Sequence, residues 1–372
     1  MSGNTMCRKV EHVELALIDE MTYENNCSNI YSDIMLVHQA FPGVSFREVT
    51  LTADFLGYSL EAPIVIEGMT GGHPATAKIN EKLALLASKA KVALGIGSQR
   101  ALIENYSEEV LKTYKIVRDV AKEVPVIGNI GITILGKYSY SKVAEAVSSI
   151  DIDALAVHLN PAQELIQPEG DTSFTQDLLD KLADLRKEIA MPVIVKEVGT
   201  GLSMEVARAF AKIGVEIFDV AGACGTSWIK IEGARAKRAG DLLRAALAEE
   251  LSSWGIPTPI SVIECRYAVP RSTIIASGGV WSSYKAAINI ALGADLVGIA
   301  RPILKALFNG GVERGLEYLN LFIEGLKAIM FLTGSSSVLE LKKKPLYMGS
   351  RILSYMRSRG INVDDYLVSK GG

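Results

Sequence analysis

Ala154-Leu155-Ala156-Val157-His158-Leu159-Asn160-Pro161-Ala162-Gln163-Glu164 begins as an apolar run and ends in hydrogen-bonding side chains. The run Ala154 to Val157 reads as a buried strand. Beyond it the chain releases an imidazole, two amides and a carboxylate where parallel α/β folds keep their chemistry, at the carboxyl end of a strand. A purely structural connection seldom needs so many polar groups so close together. Gln163 followed by Glu164 sets an uncharged polar contact beside an oxygen ligand suited to a hard cation such as Mg²⁺.

Similar short runs recur on both sides of this one: Pro63 to Glu67, Val92 to Ile96, Val126 to Gly128, Val193 to Val195, Ile217 to Val220, Ile274 to Ala276 and Leu296 to Ile299. Nearly continuous hydrophobicity marks strands covered on both faces, hence parallel. Helical patterns separate them over Ala77 to Lys91, Glu108 to Glu123, Tyr140 to Ser149, Thr175 to Ile189, Ser203 to Ile213 and Ser283 to Leu292. Eight βα units predict an α/β fold of the TIM (β/α)8 barrel type over residues 62–308, in preference to an open doubly wound sheet. Residues 1–61 form an N-terminal extension and residues 309–372 a helix-rich C-terminal tail packing on the barrel. The connection from Gly222 to Ser272 is long, with a helical section Ala234 to Trp254 and a Pro257-Thr258-Pro259 break.

Composition narrows the function classes. A chain of 372 residues with 49% hydrophobic residues buries a large core. The formal net charge of -3 argues against a nucleic-acid-coating protein, so any phosphate binding is local. No run approaches the ~18 apolar residues of a membrane span. Arg8, Lys9, Glu11, His12 and Glu14 occupy the place of a signal peptide's apolar core. Cys7, Cys27, Cys224 and Cys265 show no CxxC pair or zinc-like spacing, which predicts reduced thiols and a cytoplasmic location.

Three glycine-bearing turns follow predicted strands: Gly68-Met69-Thr70-Gly71-Gly72, Gly222-Ala223-Cys224-Gly225-Thr226 and Ser277-Gly278-Gly279-Val280. Glycine lets backbone N–H groups converge on an anion, and the turns after barrel strands seven and eight often hold phosphate. Taken singly they are tight turns; together on one rim they predict binding of a phosphate-bearing cofactor. Lys196 ends a strand, where it serves either a Schiff base or a cofactor that becomes anionic, and the residues leave both open. Ser98-Gln99-Arg100 follows strand two, and Arg8-Lys9 precedes His12; both sets suit diphosphate oxygens, although a solvated surface pair is the ordinary reading of Arg8-Lys9. Asn129 can meet a heterocycle edge or cap the next helix. Cys224 lacks an evident base partner and reads as a small semi-buried thiol.

In this order the motifs resemble the type 2 isopentenyl-diphosphate isomerases, flavoenzymes built on TIM barrels. The likeness spans Arg8 to His12, Gly68 to Gly72, Gly97 to Arg100, His158 to Glu164, Val195 to Glu197, Gly225 to Trp228, Ser277 to Val280 and Leu332 to Gly334. It implies FMN contacts at Gly68, Met69, Thr70, Ser98, Asn129, Lys196, Ala221 and Thr226, with the FMN phosphate on Gly278, Gly279, Val280, Ala300 and Arg301. Arg8, Lys9, Ser98, Gln99, Arg100 and Gln163 would contact an isoprenyl diphosphate, and Glu164 would hold Mg²⁺. Gln163, His158 and Lys196 would be the catalytic set for a 1,3-proton shift that needs reduced FMN, normally supplied by NAD(P)H. A homo-oligomer, tetramer or octamer, is implied as well. The chain departs from the family at Cys224, where glycine is usual, and at Ala221, where many members have serine or glycine. A Cys224 side chain is therefore expected to crowd the flavin phosphate or shift its loop.

Two other enzyme readings compete. A barrel like IMP dehydrogenase or GMP reductase would use Cys224 as nucleophile and leaves Arg8-Lys9 and Gln163-Glu164 unexplained. An FMN-dependent α-hydroxy-acid oxidase would want a histidine near strand six or seven, and none of the four histidines lies there. A flavin-binding scaffold with a decayed site is the non-enzymatic reading, and the intact set of polar rim residues opposes it.

Overall fold

Every strand of the central sheet is made of residues that tolerate burial on both faces. The computed structural model describes Lys9 and residues 11–371. Eight parallel strands close into a barrel: β1 (Ile64–Ile66), β2 (Ala93–Gly95), β3 (Val126–Gly131), β4 (Ala154–Leu159), β5 (Val193–Glu197), β6 (Ile217–Asp219), β7 (Thr273–Ala276) and β8 (Leu296–Ile299). Each pairs with its sequence neighbour, and β8 closes on β1 through Val297↔Ile64 and Ile299↔Ile66. The expected barrel is the observed one.

Inward residues Val65, Ala93, Ile127, Ala154, Ala156, Ile194, Ile275 and Leu296 pack with Phe55 and Leu60. Those two belong to a hairpin, Ala53–Phe55 with Tyr58–Leu60, which plugs the barrel away from the catalytic rim. Its turn runs through Leu56 (φ 51°) and Gly57 (φ 82°), the left-handed pair that tight hairpins require. Tyr58 Oη donates to Asp153 Oδ1 at 3.0 Å, pinning the plug to the foot of β4.

The expected helical section Ala234 to Trp254 is two helices, Trp228–Arg238 and Leu242–Glu250. Gly240 at φ 79° breaks it, and Asp241 restarts the chain by capping the Arg244 amide. The Pro257-Thr258-Pro259 break starts a third helix, Thr258–Ala268, with proline in its first turn, where the missing N–H is no loss.

The two extensions join each other. Ile34–Leu36 pairs antiparallel with Leu346–Met348 of the tail. The helix Arg301–Leu332 starts directly after β8 and runs through residue 308, kinking at Gly310 and Gly311. The boundary drawn from sequence between 308 and 309 thus lies beside the break at Gly310 and Gly311 that divides this segment into two helices.

Candidate active site

All eight strand ends contribute to one cavity of about 220 Å³ at the carboxyl rim. Its floor holds Glu67 and Lys196, its wall Asn129 and His158, and its rim Gly68, Met69, Ser98, Arg100, Gln163 and Glu164. Across from these stand Ala221, Thr226, Gly278, Gly279, Ala300 and Arg301. Lys9, His12, Val13 and Ala16 of the N-terminal segment close the remaining side.

Glycine lets neighbouring turns approach closer than any side chain would allow. A Cβ on Gly279 would meet Cys224 O at 2.0 Å, and one on Gly225 would meet Gly279 N at 2.4 Å. The turns after β6 and β7 thus interlock through backbone. Gly278 and Gly279 both hold left-handed conformations (φ 90° and 77°). On the opposite side a Cβ on Gly68 would meet Ile96 O at 2.2 Å.

Lys196 Nζ donates to Glu67 Oε2 at 3.0 Å and to Asp219 Oδ2 at 2.5 Å. Burial opposes its charge, but the two carboxylates outweigh burial and hold the ammonium protonated above its usual range. A protonated lysine between carboxylates is no Schiff-base nucleophile, so of the two readings left open by sequence the charge-supplying one fits. Burial and Asp219 push Glu67 up to about 7 against the pull of Lys196. Its Oε1 is buried without a hydrogen-bond partner, and Gly298 leaves the room for it.

His158 Nδ1 donates to Asn129 Oδ1 at 2.7 Å. Burial, then Lys196, Lys9 and Arg100, depress its pKa to about 3, so the ring is neutral at physiological pH. A neutral imidazole orients and accepts; it is not a reservoir of acid. Gly131 makes space for the ring, since a Cβ there would sit 3.0 Å from Nε2.

The helix Pro161–Ile166 carries Gln163 and Glu164 with proline in its first turn. Asn160 Nδ2 donates to Gln163 Oε1 and to Glu164 Oε1, each at 3.1 Å. Gln163 Nε2 donates in turn to Glu232 Oε1 at 3.1 Å. Glu232 is fully buried, yet His12 and Arg235 hold it below the usual carboxylate range. Among the described residues no group of three or more His, Cys, Asp or Glu could cage a metal. A cation on Glu164 would need ligand oxygens from the substrate.

Several expected site residues are buried off the cavity lining or hold other partners as well. Gln99 is fully buried; its Oε1 accepts the Asn129 amide at 2.8 Å, which ties β2 to β3 and keeps it off the cavity lining. Thr70 and Val280 are buried and do not line the cavity. The Arg301 guanidinium reaches Ala16 O at 2.6 Å and Asp19 Oδ1 at 2.5 Å, so it fastens the N-terminal segment. No side chain caps the helix that starts at Ala300–Arg301, which leaves its backbone as the anion-facing element. Cys224 points away from the cavity and is disulfide-bonded to Cys27, correcting both the reduced-thiol reading and the expected crowding. It is no nucleophile, which removes the IMP dehydrogenase-like mechanism. Arg8 lies outside the described residues.

Sequence reasoning passed over Glu67, Asp219 and Glu232. Glu67 ends a predicted strand and Asp219 stands one residue before the end of another, positions that signal chemistry. Glu232 sits mid-helix with no local signal.

Fold and cavity define a (β/α)8-barrel protein with a site at its carboxyl rim. Residues 137–348, more than half of the chain, match the model of the family described as FMN-dependent dehydrogenase. A mandelate oxidase structure superposes with a TM-score of 0.64 at 16% identity, covering 88% of this chain and 92% of that one. A flavocytochrome b2 structure gives 0.65 at 18%, covering 93% and 82%; both likenesses concern the fold. An isopentenyl-diphosphate delta-isomerase of Sulfurisphaera tokodaii is 42% identical, with 96% of each chain covered. One of Pyrococcus horikoshii is 39% identical, with 98% of each covered. The chain belongs, within the FMN-dependent barrel enzymes, to the isopentenyl-diphosphate delta-isomerase family.

Proposed function

We propose that this protein converts isopentenyl diphosphate into dimethylallyl diphosphate by a 1,3-proton shift, using FMN that NAD(P)H keeps reduced. One observation carries the reading. Gln163 and Glu164 are locked side by side at the cavity rim, facing glycine turns and an uncapped helix start. That arrangement offers an uncharged group for the alkene, an oxygen for Mg²⁺ and a separate cradle for a cofactor phosphate.

The residues fit the implied cofactor. Gly278 and Gly279 line the cavity with side-chain-free backbone packed against the turn after β6, and the protonated Lys196 lies on the cavity floor. When bound, reduced FMN supplies an acidic N–H and an electron-rich face that ordinary side chains lack. Lys196 would balance negative charge on the ring, and Met69, Ser98, Asn129, Ala221 and Thr226 would border it. Arg100 gives Nε–H to Glu104 at 2.6 Å, leaving its outer nitrogens for diphosphate oxygens. Lys9 stands at the same side of the cavity, near enough for its charge to act on His158. Glu164 would hold Mg²⁺ against the diphosphate, and Gln163 would lie along the isoprenyl carbons, its orientation set by Glu232.

No helix among the described residues is long and apolar enough to cross a membrane. A cytoplasmic homo-oligomer, tetramer or octamer, that binds no nucleic acid completes the proposal. That location rests on the family reading, because the Cys27–Cys224 bond removes the reduced-thiol argument for it.

The test is turnover of isopentenyl diphosphate by purified protein whose FMN has been reduced with dithionite, without nicotinamide. Dimethylallyl diphosphate should accumulate, and flavin-free protein should be inert. Equal turnover without flavin would overturn the reading.

A further inference from the structure

Cys27 and Cys224 stand 197 residues apart in sequence and are joined by a disulfide in which both residues are fully buried. Their Cα atoms are 5.2 Å apart, within the ordinary span of such a bridge. Cys224 belongs to a turn that lines the cavity, and Cys27 to the helix that follows the lining N-terminal segment. Cys224 lies in the turn after β6, and its carbonyl abuts Gly279 of the turn after β7. Thr258 N donates to Cys224 Sγ at 3.3 Å, and Cys224 does not line the cavity.

Cys27 lies on the helix Glu24–Tyr31, directly after a stretch laid across that same turn. Tyr23 N donates to Gly225 O at 2.8 Å, and Ser227 N donates to Met21 O at 2.9 Å. Thr22 and Thr226 form a bridge between the two segments, and Lys230 Nζ reaches Thr22 O at 2.7 Å. Upstream, Lys9, His12, Val13 and Ala16 line the cavity. His12 sits edge-on to Trp228, 5.0 Å between ring centroids, and bonds Glu232 at 2.8 Å. The segment is held besides by Arg301 against Ala16, Leu17 and Asp19, by Arg235 against Glu11, and by burial of Val13, Leu15 and Tyr23. The disulfide is thus the covalent anchor of a strap otherwise fastened by hydrogen bonds, ion pairs and the buried side chains of Val13, Leu15 and Tyr23.

We propose that the Cys27–Cys224 bond is a redox latch that fixes the strap bearing Lys9 and His12 over the cavity, and that its reduction loosens the strap. A dithiol opens it by exchange. The attacking thiolate forms a mixed disulfide, the second thiol releases the pair, and the dithiol is oxidised as two cysteine thiols form. Because both cysteines are buried, exchange requires the strap to lift first. A ligand held beneath the strap must therefore slow reduction, and reduction must weaken that ligand by the same coupling. This last point rests on the diphosphate reading of the site; the latch itself does not.

The experiment begins with full-length protein purified without reductant, denatured and alkylated. Two of the four cysteines should react, all four after dithiothreitol, and a tryptic peptide should link Cys27 to Cys224. Backbone hydrogen exchange over residues 11–23 is then compared in oxidised protein, reduced protein and the Cys27→Ser/Cys224→Ser variant. Exchange should rise about tenfold or more on reduction and in the variant, and the variant should ignore dithiothreitol. KM for isopentenyl diphosphate should rise severalfold with kcat little changed, and inorganic diphosphate with Mg²⁺ should slow reduction. If the variant does not fold, the wild-type comparison with and without dithiothreitol still decides. Four reactive thiols at the outset overturn the bond. A linked peptide with unchanged exchange reduces it to a static staple. Inactivity in both redox states with altered exchange would reject the isomerase reading and leave the latch standing.

Discussion

Gln163 donates its amide to Glu232 Oε1 at 3.1 Å, across 69 residues of chain. Asn160 fills the carbonyl side of the same amide, so both faces of Gln163 are assigned and it cannot flip without breaking two bonds. A Glu232→Gln substitution removes the charge that His12 and Arg235 share and lets a nitrogen face the Gln163 donor. A hydrogen bond to a charged group contributes about 1.5–3 kcal/mol, so kcat should fall roughly ten- to hundredfold. KM should move much less, because the change misorients one group and leaves the diphosphate contacts in place. Steady-state kinetics at several Mg²⁺ concentrations decides, and an unchanged kcat would show that Gln163 does not depend on Glu232.

Glu67 gives a pH signature in stability. Burial and Asp219 raise it to about 7, above its unfolded value of 4.5. Between those values the folded state binds the extra proton. The group's contribution is therefore fully present below about pH 4.5 and is lost as pH rises through 7. Glu67→Gln mimics the protonated form and should be more stable than wild type at pH 8, by at most about 3 kcal/mol, with the difference closing below pH 5. Thermal melts across pH 4.5 to 8.5 measure it. Parallel curves for the two proteins would mean that Glu67 stays ionised throughout.

The strands were legible because each is a short apolar run with no polar face to confuse its period, as in Val193 to Val195. The polar cluster after β4 was legible because it is local: Asn160, Gln163 and Glu164 meet within one turn. What escaped is what joins distant segments. Glu232 looks like any helical glutamate until His12 and Gln163 arrive from elsewhere. Gln99 follows a strand like its neighbours Ser98 and Arg100, and only the register of β2 on β3 turns it inward. The Cys27–Cys224 pairing has no spacing signature across 197 residues. Gly240 stopped a helix that the surrounding pattern would have continued, through a left-handed φ of 79°.

Glycine at two positions separates conformational need from crowding. Gly240 and Gly279 share a left-handed φ (79° and 77°), but a Cβ at Gly240 meets nothing within 4 Å. Gly240→Ala should cost about 1 kcal/mol and leave flavin content unchanged. Gly279→Ala forces a Cβ to within 2.0 Å of Cys224 O, a backbone atom that cannot swing aside. It should lower FMN affinity at least tenfold or prevent folding. The ratio of flavin to protein absorbance after dialysis reads the difference, and equal retention by both variants would remove the interlocked turns from the cofactor site.

Glu164 accepts from Asn160 at 3.1 Å and from the Asp171 amide at 2.5 Å, so its carboxylate is held in place at the rim. Glu164→Gln keeps the shape and loses the charge. The Mg²⁺ concentration for half-maximal activity should rise by tenfold or more, with FMN affinity near normal. Loss of FMN from this variant would instead make Glu164 a structural clamp on the loop at Asp171.

Arg8 and Lys9 carry the last prediction, because the ordinary reading of such a pair is a solvated surface. Lys9 lines the cavity and stands close enough for its charge, with those of Lys196 and Arg100, to depress His158. Arg8 precedes it outside the described residues. If both cations close on the diphosphate, each charge-assisted bond contributes about 1.5–3 kcal/mol. Replacing both with alanine should then raise KM for isopentenyl diphosphate by tenfold or more. Thermal stability and FMN affinity should stay within error, since His12, Arg301 and the bond at Cys27 still hold the strap. Salt discriminates further: the wild-type KM should rise between 50 and 500 mM KCl and the double variant's much less, because screening acts only on charges that are present. A double variant with wild-type kcat/KM at both salt concentrations would leave the diphosphate to Ser98, Arg100 and Mg²⁺.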